Sequence, residues 1–284
     1  SLRAAGGKVF ALLHQPPKQQ PMIAVLTNAA DPSQARVIVD PNVINPKGTT
    51  AIDWFVPSPD GSLIAVSLSE NGSEMGSVHV FDVARRRQRA ETIPRVQYPT
   101  AGGSLAWRAD GKGFWYTRYP GPERPAEEQR FFQQVFFHRL GDNPAHDAYV
   151  LGKDFPKVAE IFLDNHFNAD VLLVSVANGD GGEFAHYVIT PDARVRQVTR
   201  FSDKVVCAVV GPDDALYLIS RAGAPRGKLA QLLMHGATIF EVNANYDAAF
   251  DLCLEASARF GWYSRNTAYN PYLGEGKKTA ALEV

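Results

Sequence analysis

The sequence predicts a mainly β fold: a partial β-propeller of about four and a half blades, followed by a short α/β fragment. Three observations carry this reading. A strand–turn–strand unit recurs as "WFVPSPDGSLIAVSLS", "LAWRADGKGFWYTRY" and "AVVGPDDALYLISRA", with a degenerate copy in "AEIFLDNHFNADVLLVSVA". Successive copies lie about 45 to 60 residues apart, the length of a four-stranded blade. At Gly227-Lys228 the strand pattern then gives way, with no linker, to helix–strand–helix patterning.

The elements follow in order. "KVFALL", "MIAVLT" and "ARVIVD" supply the first blade. The tight turns of the next two copies are Asp60-Gly61 and Asp110-Gly111, where glycine accepts the positive φ a short hairpin demands. Asp213-Asp214 serves the last copy less well, and Asn165 to Asp170 forms the turn of the degenerate one. Outer strands are "SVHVFDV", "QQVFFHRL" and "AHYVITP", with edge-like "AYVLG" and "RQVTRF" beyond them. The count is four blades and the inner half of a fifth, over residues 1–226. A long β-sandwich is the alternative, and the period favours the propeller.

Residues 227–284 obey different rules. "KLAQLLMH" reads as a helix closed by Gly236, and "ATIFEV" as a strand. Asn245 or Asp247 can cap a helix with Ala249, Phe250, Cys253, Leu254 and Ser257 on its apolar face, ending at Gly261. "KKTAALEV" opens a further helix.

A chain of 284 residues with net charge −1 is long enough to fold without disulfides or metal, and gives no electrostatic reason to expect nucleic acid or an anionic membrane. Arg85 to Arg89 reads as a solvated hairpin tip. Cys207 and Cys253 lack CxxC spacing and read as buried, inert thiols. No apolar run has the length of a membrane span, so a soluble chain is expected, with cytoplasm and periplasm both open. The first residue is not methionine, so the chain is expected to be a piece of something longer.

No catalytic, cofactor-binding or metal-binding residue is assigned. Gly102-Gly103-Ser104-Leu105-Ala106 approaches a nucleophile elbow, but it lacks the last glycine and enters a strand rather than a helix. His138, His146, Asp142 and Asp147 lack ligand spacing and read as a surface loop; His14, His79, His166, His186 and His235 are isolated. "NGDGGEFAH" reads as a wide hairpin rather than a phosphate or calcium loop, and Asn71-Gly72-Ser73 as a turn that also matches a glycosylation sequon. Glu127 and Glu128 lie with Phe131, Phe132, Phe136 and Phe137 in one insertion, where core packing is expected to cover most of the aromatics.

Residues 8–227 resemble the N-terminal propeller of the prolyl oligopeptidase family of serine peptidases. The collinear strings are "QPPKQQPMIAVL", "DPNVINPKGTTAIDWFVPSPDGSLIAVSLSENGSEMGSVHVFDV", "AGGSLAWRADGKGFWYTRYP", "VFFHRLG", "GKDFPKVAEI", "SVANGDGGEFAHY" and "LISRAGAPRGK". The resemblance implies a seven-bladed propeller that caps an α/β-hydrolase domain, admits short peptides and leaves the triad to the hydrolase. It therefore implies no catalytic residue here, no cofactor, inactivity of this chain alone, and as partners the absent hydrolase domain and short proline-containing peptides. Residues 227–284 resemble an internal stretch of threonine synthase in "NANYDAAFDL", "GWYSRNTAYNPY" and "EGKKTAALEV". In that family the Schiff-base lysine precedes this stretch, so Lys277 and Lys278 are not it. The chain is thus expected to be a chimera joined at Gly227-Lys228. A non-catalytic propeller that binds peptide or protein is the competing reading, and a pyridoxal-phosphate-dependent threonine synthase fragment the third.

Overall fold

The computed structural model describes residues 2–28, 31–97, 103–165, 171–211, 215–222 and 246–261. The chain divides into two compact units, residues 1–227 and 228–284. In the first unit, strands β1 (Leu2–Ala5), β2 (Lys8–Leu13), β3 (Met22–Leu26) and β4 (Arg36–Val39) form one antiparallel sheet in chain order. The short helix α1 (Pro41–Ile44) follows, started by the Asp40 carboxylate accepting the Asn42 N–H. Strands β5 (Thr50–Pro57), β6 (Leu63–Glu70), β7 (Ser77–Asp82) and β8 (Arg87–Ile93) form a second sheet. Strands β9 (Leu105–Trp107), β10 (Gly113–Arg118), β11 (Gln134–Arg139) and β12 (Ala148–Leu151) form a third. In the fourth, β13 (Ala159–Asp164), β14 (Leu172–Asn178), β15 (Phe184–Ile189) and β16 (Val195–Thr199) repeat the order.

These are the blades read from the repeat, with one strand added. β1 supplies the innermost strand of blade one, which the periodicity of "SLRAAGG" alone did not mark off. The final copy forms the hairpin β17 (Val205–Val210) and β18 (Leu216–Ser220). It is joined to blade four by the single pairing Phe184↔Val205, so blade four and the hairpin make one six-stranded sheet. Gly61 and Gly111 carry φ of 63° and 66°, as the short turns require. The turns at Asp213-Asp214 and His166 to Asp170 lie outside the described residues.

Blades two, three and four are apolar on both faces because each is covered on both. Phe10, Ile23 and Val25 of blade one meet Phe55, Ile64 and Val66 of blade two. Ala65, Val78, Val80 and Ile93 of blade two meet Leu105, Trp107, Phe114 and Tyr116 of blade three. Ala106, Val135 and Leu151 of blade three meet Ile161, Leu172, Val174 and Ile189 of blade four. Neighbouring residues in a strand thus belong to different seams: Ile64 and Val66 face blade one, Ala65 faces blade three. Trp107 ties two blades directly, its indole N–H donating to the Val56 carbonyl at 2.9 Å.

In the second unit, α2 (Tyr246–Phe260) is the helix anticipated from the apolar spacing, and Gly261 follows it with φ of 67°. Cys253 on this helix is exposed and Cys207 on β17 is half-buried, so neither is the buried thiol expected; a free helix face leaves Cys253 in solvent. The segments "KLAQLLMH", "ATIFEV" and "KKTAALEV" lie outside the described residues.

Blade one approaches blade two closely at Gly6, where an added Cβ would collide with the Asp60 carbonyl; at Gly7 it would meet nothing. Both glycines have positive φ. Gly7→Ala should therefore cost about 1–2 kcal/mol, the left-handed backbone alone. Gly6→Ala should cost roughly 1–3 kcal/mol more, because blade one must also move. Equal losses in equilibrium denaturation would contradict this close approach.

Candidate functional site

The innermost strands of the four blades lie side by side, β1 against β5, β5 against β9 and β9 against β13. They border a cleft of about 380 Å³, a size within the range of small-ligand sites. Its walls join the apolar side chains of Leu2, Val56, Leu105 and Leu163 to polar surface of about equal extent, and its charges are Arg3 on β1 and Asp164 on β13. Asn165 helps shape this end, its side-chain amide donating to the Trp107 carbonyl at 2.6 Å. The cleft thus offers one cation, one anion and aliphatic walls, which suits a short zwitterionic chain. No serine, cysteine or histidine is among the residues lining it.

Further along β5, Asp53 sits at a bulge: Ile52 pairs with Leu68 and Trp54 with Ser67, leaving Asp53 out of the ladder. Its carboxylate accepts the Ser67 hydroxyl at 2.8 Å and also the Ser69 hydroxyl. Burial raises its pKa, the two serine hydrogen bonds oppose the rise, and Glu74 adds to it. Nearby, the Trp54 indole N–H donates to the Gln97 carbonyl at 3.2 Å.

The structure corrects several readings. Ser104 precedes β9 rather than lying in it, and its hydroxyl accepts the Leu163 N–H at 2.9 Å, a clamp between blades three and four. His138 and Asp147 are not a surface loop. Their side chains are 0% and 2% exposed, with His138 Nδ1 2.7 Å from the Asp147 carboxylate. The same carboxylate accepts the Tyr116 hydroxyl at 2.8 Å, and burial, above all, pushes that phenol's pKa up. The β-hairpin that carries these residues folds them inward, whereas His146 and Asp142 stay exposed. Among the described residues no three histidine, cysteine or acidic side chains converge as metal ligands.

The four phenylalanines of the insertion are half-buried rather than core. Cations cover them instead: Arg124 over Phe132 at 3.9 Å, Arg118 over Phe136 at 3.8 Å and Lys157 over Phe131 at 4.7 Å. Phe137 rests on Trp115. "NGDGGEFAH" does connect β14 to β15, through a 3-10 turn at Gly179–Gly181. Arg85 and Arg86 form the β7–β8 turn, and Arg87 and Arg89 begin β8. The sequence did not reveal the polar set of Tyr116, Asp147 and His138, since pairing across strands brings it together. Asp53 left a signal, an acid inside the apolar run "TAIDWFV".

Four-stranded antiparallel sheets in chain order, with their first strands side by side, define a β-propeller. The family described as the prolyl oligopeptidase N-terminal beta-propeller domain matches residues 3–237, and the chain belongs to that family. A prolyl endopeptidase of Elizabethkingia meningoseptica is 27% identical over 204 residues, covering 70% of this chain and 28% of the relative. The chain therefore spans little more than a quarter of that relative's length. A prolyl oligopeptidase B structure from Galerina marginata, bound to a 35mer hydrolysis and macrocyclization substrate, aligns with TM-score 0.67 at 16% identity, over 79% of this chain and 34% of that one. A threonine synthase of Mycobacterium bovis is 36% identical over 80 residues, 28% of this chain and 20% of the relative. The chain carries both likenesses, as its two sequence patterns implied. No helix among the described residues is long and apolar enough to cross a membrane.

Because burial raises the pKa of Asp53, the native state holds its proton more tightly than the unfolded chain does. The acid imposes no penalty below its unfolded value of about 3.9. Stability is lost as pH rises through that value and the raised native one, and the full penalty applies at neutral pH. Asp53→Asn should thus raise Tm at neutral pH and leave it nearly unchanged near pH ~3. Thermal melts at the two pH values test this; an equal shift at both would remove Asp53 ionisation as the cause.

Proposed function

We propose that residues 1–226 are the substrate-gating propeller of a prolyl-oligopeptidase-like serine endopeptidase that hydrolyses short proline-containing peptides. The carrying observation is the family match over residues 3–237, supported by a cleft on the innermost strands with Arg3 and Asp164 among its lining residues. In this reading the cleft admits an extended peptide, with Asp164 and Arg3 attracting its two ends, and its aliphatic walls accept proline. Bond cleavage belongs to a hydrolase domain supplied by the parent protein, and this chain alone is inactive. No cofactor takes part. The cleft also fits a non-catalytic peptide-binding propeller, the reading favoured by the lack of a nucleophile among its lining residues.

The join at Gly227-Lys228 belongs to the same proposal. Residues 227–284 are a slice of a pyridoxal-phosphate-dependent threonine synthase, attached to the propeller as a chimera. The third reading, in which the whole chain serves that synthase, rests on the 80-residue likeness alone.

The intact chain should bind a short Gly-Pro-containing fluorogenic peptide weakly and release no fluorophore from it. Arg3→Glu should reduce that binding several-fold, as expected for loss of a charge contact. Turnover sensitive to a serine-directed phosphonate would overturn the assignment of catalysis to an absent domain. Binding unaffected by Arg3→Glu would remove the cleft as the peptide path.

Amplification of source DNA across the codons for residues 215–245 tests the join separately. Failure of that product, with each half extending into its own longer gene, is the expected result. A single product of full length would make the fusion genuine.

A further inference from the structure

Blades two, three and four each carry a histidine on the third strand: His79 on β7, His138 on β11 and His186 on β15. Each ring meets a polar side chain at the outermost strand through Nδ1. His79 approaches Gln88 at 2.9 Å and Thr92 at 3.4 Å, His138 approaches Asp147 at 2.7 Å, and His186 approaches Thr199 at 2.7 Å. The three environments differ in how they treat a positive ring. His79 is half-buried against the exposed Gln88, whose amide can turn to offer oxygen in place of nitrogen. His138 faces a carboxylate, which accepts its N–H whether the ring is charged or not. His186 is 1% exposed and Thr199 is 5% exposed. The Thr199 hydroxyl already accepts the main-chain N–H of His186 at 3.0 Å, which leaves its hydrogen to be donated to Nδ1 of a neutral ring.

His186 also occupies a particular place in the fold. Register puts it in one row with Ser175 and Phe162, on the same face of blade four as Leu173 and Val188. That face receives the β17–β18 hairpin, through Val210, Ala208 and Leu216. Among the described residues this seam has the smallest buried cluster: Leu173 and Val210, with the one strand pairing Phe184↔Val205, two residues from His186. Thr199 lies just before the turn that leads into β17.

We propose that His186 is a proton-sensitive latch: its neutral ring holds the end of β16 and the seat of the β17–β18 hairpin, and protonation loosens both. Among the described residues, the titratable and charged groups on and beside the packed elements are Glu160 and Asp164 on β13, Glu183 before and Tyr187 on β15, Arg196 on β16, Arg200, Asp203 and Lys204 ahead of β17, Cys207 on β17 and Tyr217 on β18. No carboxylate among the described residues is hydrogen-bonded or ion-paired to the imidazole, so a buried cation at this position has no counter-charge bonded to it there. Burial accordingly lowers the pKa of His186 from its ordinary value. The native state then takes up its proton less readily than the unfolded segment. The latch is fully closed above about pH 6.5 and weakens as pH falls below that value.

Hydrogen exchange of the intact chain at about pH 7.5 and about pH 5.5 tests the latch. After correction for the chemical exchange rate, amides of β16 and β17 should exchange several-fold faster at the lower pH, as expected when a buried imidazole resists the proton that the opened segment accepts. Amides of β10 and β11, beside the carboxylate-paired His138, should not change in this way. His186→Gln, which cannot be protonated, should abolish the pH effect in β16 and β17, whereas His79→Gln should leave it in place. Equal protection of β16 and β17 at both pH values would overturn the proposal, and so would a pH effect that survives His186→Gln. Should that variant fail to fold, the contrast between β16–β17 and β10–β11 in the unaltered chain still decides.

Discussion

Face-to-face burial of blades is the constraint from which the other features of the first unit follow. A four-stranded sheet with water on one side alternates apolar and polar residues, whereas a blade between two neighbours must be apolar on both faces. β6 illustrates the consequence: Ile64, Ala65, Val66 and Leu68 are all buried, divided between the seams on either side. In the seam between blades two and three the large buried side chains concentrate on one side. Phe114, Tyr116 and Trp107 come from blade three and fill against the smaller Ala65, Val78 and Val80 of blade two.

The same packing makes the cleft. Innermost strands cannot pair with one another without ending the blade order, so they stand side by side with main chains close and side chains partly free. Gly6 permits the approach of blade one to blade two, and Trp107 secures blade three to the Val56 carbonyl. Arg3 and Asp164 border the cleft because the ends of β1 and β13 lie on its rim. The carboxylates that packing carries inside are satisfied locally, Asp53 by two serine hydroxyls and Asp147 by Tyr116 and His138, although the His138 Nε2 is buried without a partner. The third-strand histidines extend this rule toward the blade edges, each with a polar side chain at Nδ1.

Local chemistry was legible wherever it has a local cause. Asp-Gly turns at Asp60-Gly61 and Asp110-Gly111, the Gly-rich β14–β15 connection and the helix ending before Gly261 all depend on residues adjacent in sequence. Burial was less legible. His138 and Asp147 looked like a surface loop because nothing nearby in sequence shows that Phe114 and Tyr116 lie across from them. The phenylalanines of the insertion looked like core, yet they are half-buried, and three of them carry cations, one from as far along the chain as Lys157. Neither charge of the cleft was singled out, since Arg3 and Asp164 are 161 positions apart and ordinary in their own surroundings.

By itself the sequence determined the strand order, the turns, the blade period and the change of pattern at Gly227-Lys228, because each of these is set by neighbours within a few residues or by repetition. Only the tertiary structure decided that β1 completes blade one, that the last hairpin joins the sheet of blade four, and which polar side chains go inside. Those outcomes depend on which faces meet, and the meeting of faces is fixed by packing between residues that the chain holds far apart.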